Sequence, residues 1–378
     1  MKRTYKYRLY PSRTQRYELD RMLASFCALY NAALQQRIEA YRRRGRSLGY
    51  VDQANELRAV RAEDSDLAAF SYSAEQQVLR RLDKSFKAFF RRRRAGDKPG
   101  FPRFKSTSRF DAAEFRVGDG LTLKRSRRLG IVGVPGEIKV KWHRELPQGA
   151  KVKSAIVARS LDRWYVCLQI ELAEAVPVLR PFAPVGVDLG LYSLVALSTG
   201  KTEPAPRNTA RTAKRLRRAQ RAVARKRRGS HRQRKAKARV ARLHAEVAAR
   251  RRDFSHKLSR SLADRFTHLA FEDLNIEGLA RGMLAKSIHD AAWRMLVQHT
   301  TYKAENAGGV VVLVDSRGTS KTCPDCGTVA PKRLAERMHR CGCGCTLDRD
   351  VAAARVVLGR ANFGPGAGLR APSQRVAA

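Results

Sequence analysis

The sequence predicts a multidomain α+β protein, and three observations carry that reading. At 378 residues the chain is too long for one ordinary core. Stretches with apolar residues at helical spacing and stretches with period-two alternation occupy separate parts of it. Breaks rich in proline and glycine fall between them, at 96–102 and at Pro177, Pro181 and Pro184.

Residues 2–10 alternate through Tyr5, Tyr7 and Leu9 and stop at Pro11, which predicts one strand. Helical spacing follows over about 14–94, in Leu19, Met22, Leu23 and Phe26 and again in Leu79, Leu82, Phe86, Phe89 and Phe90. Short alternating runs then continue to 172, with SAIVARSLDRWYVCLQIEL reading as a hairpin. A lone first strand needs partners. The simplest arrangement is therefore a β domain of 1–12 and 96–182, interrupted by a helical domain of 13–95. Beyond the proline linker, VGVDLG and SLVALST predict two strands joined by a tight turn, and THLAFEDL and GGVVVLVD two more. One helix is expected around 287–305 and another in DVAAARVVL. These make a third region of 183–316 and 346–361, divided by a cysteine-rich segment at 317–345. The tail at 362–378 has no periodicity and is expected to be disordered.

Charge narrows the partners. Lys and Arg number 78 against 34 acidic residues, a net +44 that calls for a polyanion. No run approaches the ~18 apolar residues of a spanning helix, and MKRTYKYRLYPS lacks the apolar core of a secretory signal. Five of the seven cysteines lie within 323–345, a pattern of metal binding in a reducing compartment and not of a disulfide framework. A cytoplasmic protein is expected. Between 207 and 252 there are 20 Lys or Arg and one acid, Glu246. Gly229 and Ser230 split this stretch into halves that fit a helical hairpin at 207–260. A solvated face explains a run of mixed sign, but a single-sign run of this density favours phosphate contact. The candidate contacts are Arg217, Arg218, Arg221, Arg225, Lys226, Arg227, Arg228, Arg232, Arg234 and Lys235. Disorder that folds on RNA is the alternative. Phe101, Phe104 and Trp164 are candidates for base stacking, though core packing is the commoner fate of aromatic residues. The same caution holds for His289 and Trp293.

Three acids carry the chemistry. Asp188 and Glu272 stand at the ends of apolar strands, where open sheets build their sites. Asp350 falls in the first turn of a helix. Brought together by a folded core, they would form an all-oxygen set suited to two Mg²⁺ ions and to in-line displacement at phosphorus. Taken singly, each is a surface charge or a cap, Asp350 a natural helix cap, and Asp273 or Asp348 can take a neighbour's place. Cys323 and Cys326 form half of a zinc knuckle, and Cys341, Cys343 and Cys345 offer three thiols for the other two places. Cys341 and Cys343 are taken for one structural Zn²⁺, with Cys345 the possible substitute. A closed four-thiolate site has no open position for catalysis.

The segments YKYRLYPSRTQ, FKAFFRRRRAGDKPGFPRFKS, GVDLGLYSLVAL, FEDLNIEGL, KSIHDAAW, TSKTCPDCG and CGCGCTLDRDVAAARVVL follow one another in an order that resembles the TnpB family. These are RNA-guided nucleases of insertion sequences, related to the ancestors of type V CRISPR effectors. The resemblance implies a wedge-type β-barrel with an inserted helical recognition domain, then a RuvC nuclease domain of RNase H-like fold holding a zinc ribbon that binds target nucleic acid. It implies Asp188, Glu272 and Asp350 as the catalytic triad. It also implies a guide RNA from the transposon end and double-stranded target DNA cut beside a short adjacent motif. The setting implied is prokaryotic and nucleoid-associated, and a monomer is the expected state. The family pattern after the third acid is D-x-N-A-A. Here Ala352 stands in the Asn place, which removes a supporting hydrogen bond. A cleavage-deficient guided repressor and a guide-independent transposase are the alternative functions. The first would be marked by loss of a triad acid; the second would carry no RNA of defined length.

Overall fold

The computed structural model describes residues 2–124, 126–172, 180–333 and 336–363. Pro177 and the tail from 364 onward lie outside them. The chain divides into two compact units, residues 1–175 and 176–378.

The first unit holds strand β1 (Lys2–Tyr10), helices α1 (Arg13–Arg44), α2 (Tyr50–Glu63), α3 (Ser65–Ala68) and α4 (Tyr72–Arg94), and strands β2 (Ala112–Val117), β3 (Gly120–Leu123), β4 (Arg128–Ile131), β5 (Val134–Lys141), β6 (Lys151–Ser160) and β7 (Arg163–Glu171). Its seven strands close into a barrel in the order β1-β5-β4-β3-β2-β6-β7. The first strand completes that closure, antiparallel to β5 on one side and β7 on the other. Alternation decides which side chains point inward: on β7 these are Trp164, Val166, Leu168 and Ile170. Trp164, a stacking candidate from sequence, is therefore core, while Phe101 and Phe104 are exposed.

The helices start and stop on local signals. Ser12 and Gln15 form a reciprocal capping box at the start of α1, and Gly45, left-handed at φ 60°, ends it after Arg42, Arg43 and Arg44. Ser71 caps α4 by accepting from the Ala74 amide. Phe26, Leu34 and Leu82 of the helices and Tyr7, Phe115 and Leu168 of the barrel belong to one buried cluster. The helical stretch thus shares the barrel's core.

The second unit contains strands β8 (Pro184–Asp188), β9 (Ser193–Leu197) and β10 (Thr202–Pro204), helices α5 (Asn208–Ala224) and α6 (His231–Arg265), strand β11 (His268–Asp273), helices α7 (Ile276–Leu279), α8 (Ala285–Ala291) and α9 (Trp293–Asn306), strand β12 (Val310–Asp315), a hairpin of β13 (Met338–Arg340) and β14 (Thr346–Asp348), and helix α10 (Arg349–Ala361). The five-stranded sheet runs β10-β9-β8-β11-β12. Strands β8, β11 and β12 are parallel, and β9 and β10 extend the sheet antiparallel. Val185, Val187, Leu269 and Phe271 are fully buried, the run expected of strands covered on both faces.

Two boundaries differ from the sequence reading. The helix expected over 287–305 is broken at Ala292, which is left-handed at φ 53°. That break seats the Trp293 ring in the core, its indole N–H donating to the Gly190 carbonyl at 3.3 Å. Residues Thr346–Asp348, assigned from sequence to the third region, pair with β13 and so extend the cysteine-rich insertion to Asp348. Among the described residues no helix is long and apolar enough to cross a membrane.

Candidate active site

Asp188 ends β8, and Glu272 lies one residue before the end of β11. The two strands are parallel neighbours in the register Phe271 to Val187, so both acids emerge at the same end of the sheet. Helix α10 brings the third. It lies against β8 so closely that a Cβ at Gly186 would sit 1.9 Å from the Ala354 carbonyl oxygen. Asp188 is two residues beyond Gly186 and points to the same face. Asp350 precedes Ala354 by one helical turn. A glycine in the strand thereby sets the helix that carries an acid toward the strand's own acid.

The Asp188 carboxyl is held well above the ordinary carboxylate range, first by burial, then by the negative charges of Glu272 and Asp350, with Arg349 opposing. Glu272 is 7% exposed and is likewise raised by burial. The Thr319 hydroxyl donates to its Oε1 at 2.5 Å and pulls it down again, as does the charge of Arg360. Arg349 contacts Asp350 at 3.4 Å. Asp348, not Asp350, is the cap of α10, accepting from the amides of Asp350 and Val351. This frees Asp350 from the structural role open to it.

A buried carboxyl whose proton affinity is raised by two neighbouring acids fits a site whose charge balance includes a hard cation.

The cysteine-rich hairpin is a separate centre. The sulfurs of Cys323, Cys326, Cys341 and Cys343 all lie within 4.8 Å of one another. Cys323 and Cys343 are 3.7 Å apart and Cys326 and Cys341 3.5 Å. Hydrogen bonding to Thr328 brings the Cys326 thiol down to about 6, in the range where a thiolate is available at neutral pH. Four thiol donors in this grouping fit a soft or borderline cation.

The basic stretch is an antiparallel pair, α5 and α6, turning at Gly229 and Ser230. All ten candidate contacts are exposed. Arg218, Lys226, Arg232 and Lys235 line a groove between the helices, joined there by Arg215, Arg239 and Arg242, which the sequence reading left out. Thr319 and Arg360 were also missed. An isolated threonine and an arginine within a helix carry no pattern, and only their contacts distinguish them.

Comparison with known proteins places the chain. A family described as "Probable transposase" (OrfB of IS605) matches residues 167–283, and a "Cas12f1-like, TNB domain" matches 293–357. The OrfB "Helix-turn-helix domain" matches 1–46, which here form β1 and the single long helix α1. A "Putative RNA-guided DNA endonuclease" of Streptomyces pristinaespiralis is 36% identical over 98% of this chain and 92% of its own length. The Escherichia coli protein of that description, InsQ, is 29% identical over 94% of this chain and 91% of its own. A chain in the cryo-EM structure of a Cas12f1–sgRNA–target DNA complex covers 94% of this chain with 98% of itself, at TM-score 0.59 and 12% identity, a likeness of fold. An α+β protein with a closed barrel, an acid cluster at a sheet end and a cysteine hairpin is thus of the class of OrfB proteins of IS605-type elements. The chain belongs to the TnpB family.

Proposed function

We propose that this protein is an RNA-guided DNA endonuclease whose second unit is a RuvC domain of RNase H-like fold with an inserted zinc ribbon. The observation that carries the reading is the meeting of Asp188, Glu272 and Asp350 at one end of the β8–β11 sheet. Family membership supports it independently. The three carboxylates would hold two Mg²⁺. When bound, these ions supply an activated water and neutralise the leaving oxygen of a phosphodiester. Asp188 and Asp350 offer carboxylates from facing elements, Thr319 orients Glu272 and opposes the upward pull of burial on its carboxyl, and Arg349 steadies Asp350. Cys323, Cys326, Cys341 and Cys343 would hold one structural Zn²⁺. The α5–α6 groove offers a phosphate-binding surface for guide RNA or for the heteroduplex it forms with DNA. In that role the protein works on the nucleoid.

The test is to express the protein with its native flanking DNA, sequence the RNA that co-purifies, and challenge the complex with a plasmid target library and Mg²⁺. Guide-matched double-strand breaks beside one short motif are expected, and D188N should bind RNA and target without cutting. Defined RNA with target protection but no breaks would replace the nuclease by a guided repressor. Absence of discrete RNA would overturn guidance.

A further inference from the structure

The hairpin carries five cysteines where a tetrahedral site uses four. Besides the four-cysteine group, a second group has its ligand atoms within 4.8 Å of one another: Cys323, His339 and Cys345. Cys323 belongs to both. The second group is the buried one, with Cys323 and His339 each 2% exposed and Cys345 7%, whereas Cys326 and Cys343 face solvent.

Packing alone accounts poorly for His339. It stands in β13 opposite Leu347, its Nδ1 faces the Lys332 ammonium, and its Nε2 is buried with no hydrogen-bond partner. A buried imidazole nitrogen left unpaired costs free energy, and a cation bound at Nε2 would recover it, with the ring proton then on Nδ1 and the Lys332 ammonium turned away from the ring. Two thiols and an imidazole are a donor set that zinc accepts, with a solvent ligand in the fourth place. A thiolate has lone pairs enough to bridge two ions.

We propose that the hairpin binds two thiophilic divalent cations, the second held by Cys323, His339 and Cys345, with the Cys323 sulfur bridging the pair. The proposal extends the four-cysteine zinc reading and rests on it.

The test uses full-length protein with its co-purified RNA, stripped of loosely held metal, with zinc quantified by elemental mass spectrometry. Two zinc ions per chain are expected, falling to one in C345S and one in H339Q. Replacement of zinc by cadmium-113 gives a readout that needs no variant. Wild-type protein should show two resonances, one from a four-sulfur and one from a mixed sulfur and nitrogen environment, each split by the other. One zinc per chain that survives both substitutions overturns the second site and leaves the four-cysteine reading standing. One zinc lost in C345S overturns the pair and moves the single ion to the second group. No zinc at all overturns both readings.

Discussion

Gly186 and Ala354 meet where strand β8 and helix α10 cross, in a contact that leaves no room for a β-carbon on the strand. One step along each element from that contact stand Asp188 and Asp350. The spacing between the two acids is therefore set by the smallest side chain in the strand.

Gly186→Ala should push α10 away from β8. The added methyl meets backbone, the Ala354 oxygen and the Leu358 nitrogen, which cannot turn aside as a flexible side chain would. Overpacking of this kind costs ~1–3 kcal/mol or more. Thermal melting should show that loss. Cleavage should fall further than the folded fraction does, because Asp350 moves with the helix; activity tracking the folded fraction alone would argue against this coupling.

Thr319→Val keeps the shape and removes the donor to Glu272. Without that hydrogen bond the Glu272 carboxyl rises further, since burial already raises it and Thr319 is the main opposing influence. Hydrogen bonds to charged groups are worth ~1.5–3 kcal/mol, so cleavage near neutrality should drop by about ten-fold or more. The acidic limb of the pH–rate profile should move to higher pH, with partial recovery in alkaline buffer. A uniform loss at every pH would mean that Thr319 acts otherwise.

Removing Arg218, Lys226, Arg232 and Lys235 together, as alanines, should weaken RNA binding without unfolding α5 and α6, because all four are exposed. Each phosphate contact contributes ~0.7–0.9 to the slope of log affinity against log salt. Filter binding across a salt series should show that slope reduced by about 3. An unchanged slope would place the RNA elsewhere.

Glu75 gives the first unit a pH dependence. It is fully buried beside Arg61, and burial lifts its carboxyl to about 7 from an ordinary 4.5 in spite of that arginine. A folded-state value above the unfolded one means that the folded protein holds the proton more tightly. The resulting stability is complete below pH 4.5 and disappears as pH rises through 7. About 3 kcal/mol is at stake at ~1.4 kcal/mol per pH unit. Denaturant melts of wild type and Glu75→Gln from pH 4 to 8 should converge in acid and separate above neutrality in favour of the variant.

Much of this architecture was legible in the chain because the signals were local or periodic. Tyr5, Tyr7 and Leu9 mark a strand without a neighbour, and the later strands had to supply its partners. The place of β1 between β5 and β7 was not legible, since closure depends on contacts far apart in sequence. Asp188 and Glu272 drew attention as acids ending apolar strands. The role of Gly186 did not, because a glycine's meaning here is the backbone of a helix more than 160 residues away. Ala292 is a strong helix former that nonetheless breaks a helix, where the burial of Trp293 outweighs local propensity.

The cysteine hairpin is tied to the acids at both its ends. Thr319, at its entrance, holds Glu272, and Asp348, its last residue, caps the helix that carries Asp350. In architectural terms it is a strut and not an ornament. A shortened chain that bridged the gap with an inert linker would have to rebuild a hydroxyl donor at one end and a helix cap at the other before two of the three carboxylates stood where they do now.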